Sequence, residues 1–545
     1  MNRNNRILLG QVALVAGVCL FLFFFHLGAF GLVGADEPRY AQIAREMFGR
    51  HDWIVPTLNG SPWLEKPIFL YWKMMISYAV FGVSDWAARV PGAFHALALV
   101  VAMYFFVRRC RPGKEVIAAL ITASSAAIIG FGRGASTDIL LSCQLALALL
   151  SWWTWHETGR KLWLAFFYLL LAFGALSKGP VAPGLALLIV GAYAALRRDG
   201  KIFVRSLWAP GFALFFLVAA PWYVAVQMKV PQFFRVFFLQ HNLERFATNE
   251  YRHSQPFWYY LPVFLLSMLP WTVFTIRAIV EAIQSKVWAA RVDALDSGEE
   301  SGDAKGDKES GLDRRLHLFL VLWILIPIAF FSISRSKLPG YILPSIPAAA
   351  LLTADYLPDR RKPAARWILG LHSVLCGGLV GAALLTPSLM LKVRLTSAVF
   401  TAGLIGLGVT LVLLFLLLRP EGIRMLPIAT LAPVIAVVGF LLGPAAAVMD
   451  NVNSARPIDA QLRSLGVSEE PVAVFDVKRQ IEYGLNFYCN RPIPRYERDG
   501  IPQGDHIVVA REGSEAAVQA VAGGRQVRFL STLPTQHLDL YSVSK

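Results

Sequence analysis

About thirteen apolar runs divide the chain, the first from Ile7 to Val33 and the last from Met425 to Val448. An apolar stretch of ~20 residues is long enough to cross the hydrocarbon of a bilayer, and there the backbone must satisfy its own hydrogen bonds, which leaves the α-helix as the form of each run. The others lie near Ala87–Val107, Val116–Gly132, Ile139–Trp155, Leu162–Leu176, Val181–Leu196, Leu207–Val226, Phe257–Val280, Leu316–Ile333, Ile342–Leu357, Trp367–Leu385 and Ala398–Leu418. Only 16% of the 545 residues are charged, against ~25% in soluble chains, so little polar surface exists outside such a bundle. The first run is too long for a signal-peptide core and reads as an uncleaved span. The expected fold is an α-helical polytopic membrane domain over residues 1–448, with a large first loop at 34–86, followed by a small α/β domain over 449–545. In that tail, the β-rich runs Val472–Val477, Ile507–Val509 and Val527–Leu530 alternate with helix-like stretches such as Ser514–Ala522.

The net charge of +16 suggests a nucleic-acid partner only until the cations are sorted by loop. Short basic loops at Arg108–Arg111, Arg160–Lys161, Arg197–Arg198, Arg360–Lys362 and Arg419–Arg424 all fall on the side of the N-terminus, and the positive-inside rule makes that side cytoplasmic. Much of the excess charge is thus a topology signal, no nucleic-acid partner is expected, and membrane lipids are. An odd number of spans places the C-terminal domain on the outer face of the membrane. The polar stretch Ser297–Gly311 falls in a cytoplasmic loop and reads as a disordered insertion. The five cysteines show no metal spacing, and the tail holds only Cys489, which excludes a disulfide within it.

The remaining polar residues gather in five outward loops. The first carries Asp36-Glu37-Pro38-Arg39-Tyr40, Asn59-Gly60 and Glu65-Lys66-Pro67, then an aromatic segment Phe69–Phe81 that is short for a span and reads as an interfacial helix. The second holds Arg133 to Asp138, and the third Ser177-Lys178-Gly179-Pro180. The fourth holds Arg235, His241, Arg245 and His253, and the fifth Ser334 to Tyr341 with Lys337. Each has a plain structural reading. Lys73, Arg235 and Trp86 suit contact with lipid headgroups, and Asp138 suits a helix cap. Lys178 and Lys337 stand beside Gly or Pro that break the helix locally. The adjacent anions Asp36 and Glu37 at a span end require partners, with Arg39 or Lys66 the nearest in sequence. Carboxylates, cations, imidazoles and a phenol from five loops on one face together suggest a site. A transporter would put its ionisable groups near mid-membrane between repeats, and none is apparent.

The stretches DEPRY, DWIVPTLNG, EKP with its aromatics, SKGP, HNLERF, HSQPFWYYLP and SKLPGYILP resemble, in order, the bacterial lipid A aminoarabinose transferases. These belong to the polytopic glycosyltransferases of the GT-C fold, which take sugars from polyprenyl phosphates and include the protein O-mannosyltransferases. The tail resembles their extracytoplasmic domain in position and size. The resemblance implies catalytic roles for Asp36, Asp138 and Lys66, and substrate contacts at Arg39, Glu65, Lys178, Arg245, Tyr341, Lys337 and His253. It allows a divalent metal (zinc, magnesium or manganese) on Glu65 and a histidine of the fourth loop, His241 first and His253 second. It implies a polyprenyl-phosphate-sugar donor and a lipid A phosphate or another extracytoplasmic acceptor. No nucleotide is expected, because the chain has no P-loop and no Rossmann glycine pattern. A hydroxyl acceptor would make Asp36 a general base, whereas an ionised phosphate needs none and leaves Asp36 and Asp138 to orient the sugar.

Overall fold

The computed structural model describes residues 3–244, 255–284, 304–357, 365–393 and 396–545. Among them, nine helices are long and apolar enough to cross a membrane, from Arg6–Phe24 to Gly422–Leu442. Two bent pairs, Glu115–Ser124 with Ala126–Gly132 and Phe257–Ser267 with Thr272–Gln284, raise the number to eleven. The two other apolar runs are shorter helices, Val181–Leu196 and Ile346–Tyr356, the second entered through a 3-10 turn at Pro339–Ser345. The protein is a multi-pass membrane protein.

The polar insertion departs from its sequence reading over the described part. Ala304–Gly311 forms the opening turns of the helix Ala304–Ile333, continuous with the apolar run, although Gly306 and Gly311 are weak helix formers. Residues 297–303 lie outside the described residues.

The first loop is ordered by local chemistry. Helix Asp36–Arg50 begins with two acidic residues, which suit the positive end of its dipole. The strands Thr57–Leu58 and Ser61–Pro62 form a hairpin closed by Asn59 and Gly60, at φ 54° and 74°. Asn-Gly is the pair a two-residue turn of this hand favours. Glu46 pins the hairpin to the helix by accepting from the Thr57 hydroxyl at 2.7 Å and the Asn59 amide at 2.8 Å. Helix Phe69–Phe81 has 13 residues, or about 20 Å at 1.5 Å per residue, too short to span. It buries Leu70, Tyr71, Met74 and Tyr78 and leaves Ile76, Val80 and Phe81 exposed, as a helix lying along the membrane surface would.

The C-terminal sheet has the order Val472–Phe475, His506–Arg511, Leu538–Ser544, Gln526–Leu533, with the first pair parallel and the others antiparallel. Strand residues alternate between its faces. Val472, Val474, Ile507 and Val509 pack on Ile458, Leu462, Ile481 and Leu485 of the helices Arg456–Ser464 and Arg479–Cys489. Ala473, Val508 and Ala510 pack on Val518 of Glu515–Val521 on the other side. This α/β unit is bolted to the membrane helices through Arg456. Its guanidinium bonds Asp450 at 2.7 Å, Asp85 at 3.1 Å and the Gly28 carbonyl at 3.2 Å.

Candidate active site

At the end of the bundle that carries the sheet domain, a cavity of about 800 Å³ opens among the first loop, the 133–138 turn, the end of helix Lys161–Lys178, the 338–341 turn and the C-terminal domain. Asp36, Arg39, Glu65, Lys66, Asp138, Lys178 and Tyr341 all line it. These residues come from segments up to 305 positions apart, the difference between 36 and 341.

Each is set by a local device. Lys178 is the last residue of its helix, stopped by Gly179 at φ 72°, a backbone conformation that glycine adopts without strain. Asp138 enters at the first turn of helix Thr137–Thr158, whose cap is Ser136: the Ser136 hydroxyl accepts from the Asp138 amide at 3.1 Å. Asp138 is therefore spared capping duty, and its carboxylate is ion-paired with the Lys178 ammonium. That ammonium also lies 4.4 Å from the centre of the Tyr341 ring, and Lys66 is within electrostatic reach of Asp138. Gly340 makes the approach possible, since a Cβ there would stand 2.7 Å from the Asp138 carboxyl carbon and 2.8 Å from the Phe131 ring.

On the other wall Arg39 bonds Asp36 at 2.5 Å and lies 3.8 Å from Glu65. Its guanidinium stacks on Trp63 at 5.0 Å, Tyr40 at 5.4 Å and Tyr483 at 5.5 Å. These rings hold the cation in place while the Asp36 side chain stays 58% exposed.

In the cavity floor lies a pair the sequence reading did not identify. Glu37 meets Arg89, a residue inside the span Asp85–Cys110 whose side chain is 2% exposed. Arg89 donates to both Glu37 oxygens, at 2.8 and 3.2 Å, and to the carbonyls of Leu27, Phe30 and Gly31. Glu37 in turn accepts from the amides of Val33 at 2.9 Å and Ala135 at 2.7 Å. Burial works against the Glu37 carboxylate, but Arg89 and those two amides outweigh it and hold its pKa below the usual glutamate value. The available signal was an arginine in an apolar run, which is tolerated only when partnered. Arg133, also on the wall, donates to the carbonyls of Leu22, Phe25 and His26, which the end of the first span leaves open. Burial, with Arg89 nearby, lowers it to about 10, still a cation at neutral pH. Arg479 and Met449 reach the cavity from the C-terminal region, where the sequence offered no motif.

Other expected residues fall elsewhere. Lys337 is buried and off the cavity wall, its ammonium turned into its own loop to donate to the Ser334 carbonyl at 2.5 Å. His241 is described and does not line the cavity, while Arg245 and His253 lie outside the described residues. Among the described residues no group of three or more His, Cys, Asp or Glu side chains is arranged to hold a metal ion. All five cysteines are free thiols.

Comparison with known proteins agrees with this architecture. Residues 65–224 match the dolichyl-phosphate-mannose-protein mannosyltransferase family. The undecaprenyl phosphate-alpha-4-amino-4-deoxy-L-arabinose arabinosyl transferase of Aeromonas salmonicida is 28% identical over 486 residues, covering 83% of this chain and 84% of that one. A transferase of the same description from Pseudomonas fluorescens is 31% identical over 392 residues, 70% of this chain and 62% of its own. In fold, the chain is similar to the crystal structure of ArnT from Cupriavidus metallidurans bound to undecaprenyl phosphate, with a TM-score of 0.75, 21% identity and 98% of both chains covered.

A many-helix bundle whose charged cavity opens at one end beside a small α/β domain defines a membrane glycosyltransferase of the GT-C class. Within that class the chain belongs to the aminoarabinose transferase family.

Proposed function

We propose that this enzyme moves 4-amino-4-deoxy-L-arabinose from undecaprenyl phosphate to a phosphate of lipid A, on the periplasmic face of the bacterial inner membrane, with its N-terminus in the cytoplasm. The names of its relatives support the donor and the sugar. The observation that carries the acceptor is the pairing of the cavity carboxylates. Asp36 faces Arg39, Glu37 faces Arg89 and Asp138 faces Lys178. A carboxylate held by a cation is a poor proton acceptor, which suits a nucleophile that has no proton to lose. A phosphate oxygen then attacks the anomeric carbon, the bond from that carbon to the donor phosphate breaks, and polyprenyl phosphate leaves with inverted configuration at the sugar. Lys66 and Lys178 counter the charge that grows on the leaving phosphate, and Tyr341 donates a hydrogen bond. Asp36, the most open of the three carboxylates, is suited to meet the amine of the sugar.

That openness also favours a second reading, in which Asp36 takes a proton from a hydroxyl of a protein or glycan, as the mannosyltransferase match over residues 65–224 suggests. Mass spectrometry of lipid A from cells with and without the gene separates the two. A gain of one aminopentose per phosphate is the expected result, and unchanged lipid A moves the assignment to the hydroxyl acceptor.

A further inference from the structure

We propose that Arg479, supplied by the C-terminal domain, binds the phosphate of the acceptor lipid and so makes that domain one wall of the acceptor subsite; this rests on the phosphate acceptor proposed above. The argument begins with what each cation of the cavity already does. Arg39 is engaged by Asp36 and Glu65, Arg89 by Glu37, and Lys178 by Asp138. Arg133 is spent on backbone carbonyls, and Lys66 acts on Asp138. Arg479 is exposed, lines the cavity, and makes no hydrogen bond or ion pair among the described residues. A guanidinium with no partner among the described residues, at the wall of a reaction cavity, is a ready two-pronged donor for a phosphate.

Its position is fixed by the rest of its helix. Arg479, Tyr483 and Phe487 are four residues apart and share one face of Arg479–Cys489. Tyr483 lies under the Arg39 guanidinium, and the Phe487 ring lies 5.6 Å from the Arg45 guanidinium, which also donates to the Phe487 carbonyl at 2.7 Å. Asn486 donates to the Asn59 side chain at 2.5 Å, and the Tyr488 hydroxyl accepts from the Leu32 amide at 2.8 Å. The helix is thus fastened to Asp36–Arg50 and to Leu32 and Asn59 on either side of it, from its second turn to its end, and its first residue lines the cavity. A donor whose polyprenyl chain lies in the bilayer presents its phosphate to cations at span ends, such as Lys178. Arg479 sits on the domain beyond the spans, where the headgroup of a second lipid arrives.

The test uses the full chain, purified and supplied with the polyprenyl-phosphate donor and with lipid A, intact or stripped of its phosphates. Arg479→Ala is expected to raise the acceptor KM at least tenfold and leave the donor KM within twofold, with Arg479→Lys recovering most of the loss and Arg479→Glu losing more than alanine. Because the side chain is exposed and bonded to nothing described, all three variants should melt as the wild type does. An unchanged acceptor KM in Arg479→Ala, or an equal rise in the donor KM, overturns the proposal while the phosphate-acceptor reading stands. Wild-type enzyme that ignores intact lipid A overturns both.

Discussion

Replacing Glu37 with glutamine strips the anionic partner from a guanidinium that is almost wholly enclosed. Arg89 keeps its charge because a guanidinium is not deprotonated inside a protein, so the variant holds a cation with carbonyl acceptors and no counter-ion. Breaking one side of a buried ion pair costs about 3–5 kcal/mol. Glutamine also sets an amide NH2 against either the Val33 or the Ala135 amide, orphaning a donor worth about 1–3 kcal/mol. The two penalties overlap, and a total loss of at least ~3 kcal/mol is expected. The assay is denaturant unfolding in detergent of Glu37→Gln, Arg89→Met and the double variant. The double variant should lose far less than the sum of the singles, because it leaves no unpaired charge. A loss below ~1 kcal/mol in Glu37→Gln, the level of an exposed ion pair, would refute the reasoning. Acidity offers a second check. The folded pKa of Glu37 lies below its unfolded value, so its contribution is complete above the ordinary glutamate pKa of ~4.3 and is lost as pH falls through the folded value. Wild type should lose this increment on acidification, and Glu37→Gln should not.

Asp36→Ala and Lys66→Ala should each lower transfer by at least ~10²-fold while the protein still inserts and purifies folded, measured as product per unit of protein; full activity in either removes that residue from the site. Gly340→Ala should cost about 1–3 kcal/mol through the clash at Asp138 and Phe131 and reduce kcat/KM with it, whereas Gly184→Ala, which meets nothing within 4 Å, should be silent in both measurements. Lys308→Ala, in the opening turns of helix Ala304–Ile333, should leave transfer unchanged, and a large loss would tie that segment to the chemistry.

Much of the site was legible because the chemistry is written in short stretches. The loops that carry Asp36, Glu65, Asp138, Lys178 and Tyr341 stand out as polar breaks between apolar runs, and all five residues reach one cavity. Lys337 stood out for the same reason and is instead bound to its own loop, since a short break carries several polar groups and only their rotamers decide which one faces inward. Arg89 was hidden inside a run read as plain apolar span, and Arg479 inside a domain without motifs. In the tail, the strand Leu538–Ser544 escaped the sequence reading although it pairs on both edges in the sheet, because its alternation is short and partly polar.

What the sequence determined by itself is the set of helices and the end at which polar residues collect. Both follow from hydrocarbon length and local breaks in hydropathy, which neighbouring residues encode. The tertiary structure alone decided the pairings: Asp138 with Lys178, Glu37 with Arg89, Arg39 with Tyr483. Those contacts join residues 40, 52 and 444 positions apart, and no local pattern records which charge will be buried beside which. Coulomb and desolvation energies depend on distance and enclosure, and these exist only once the helices have packed.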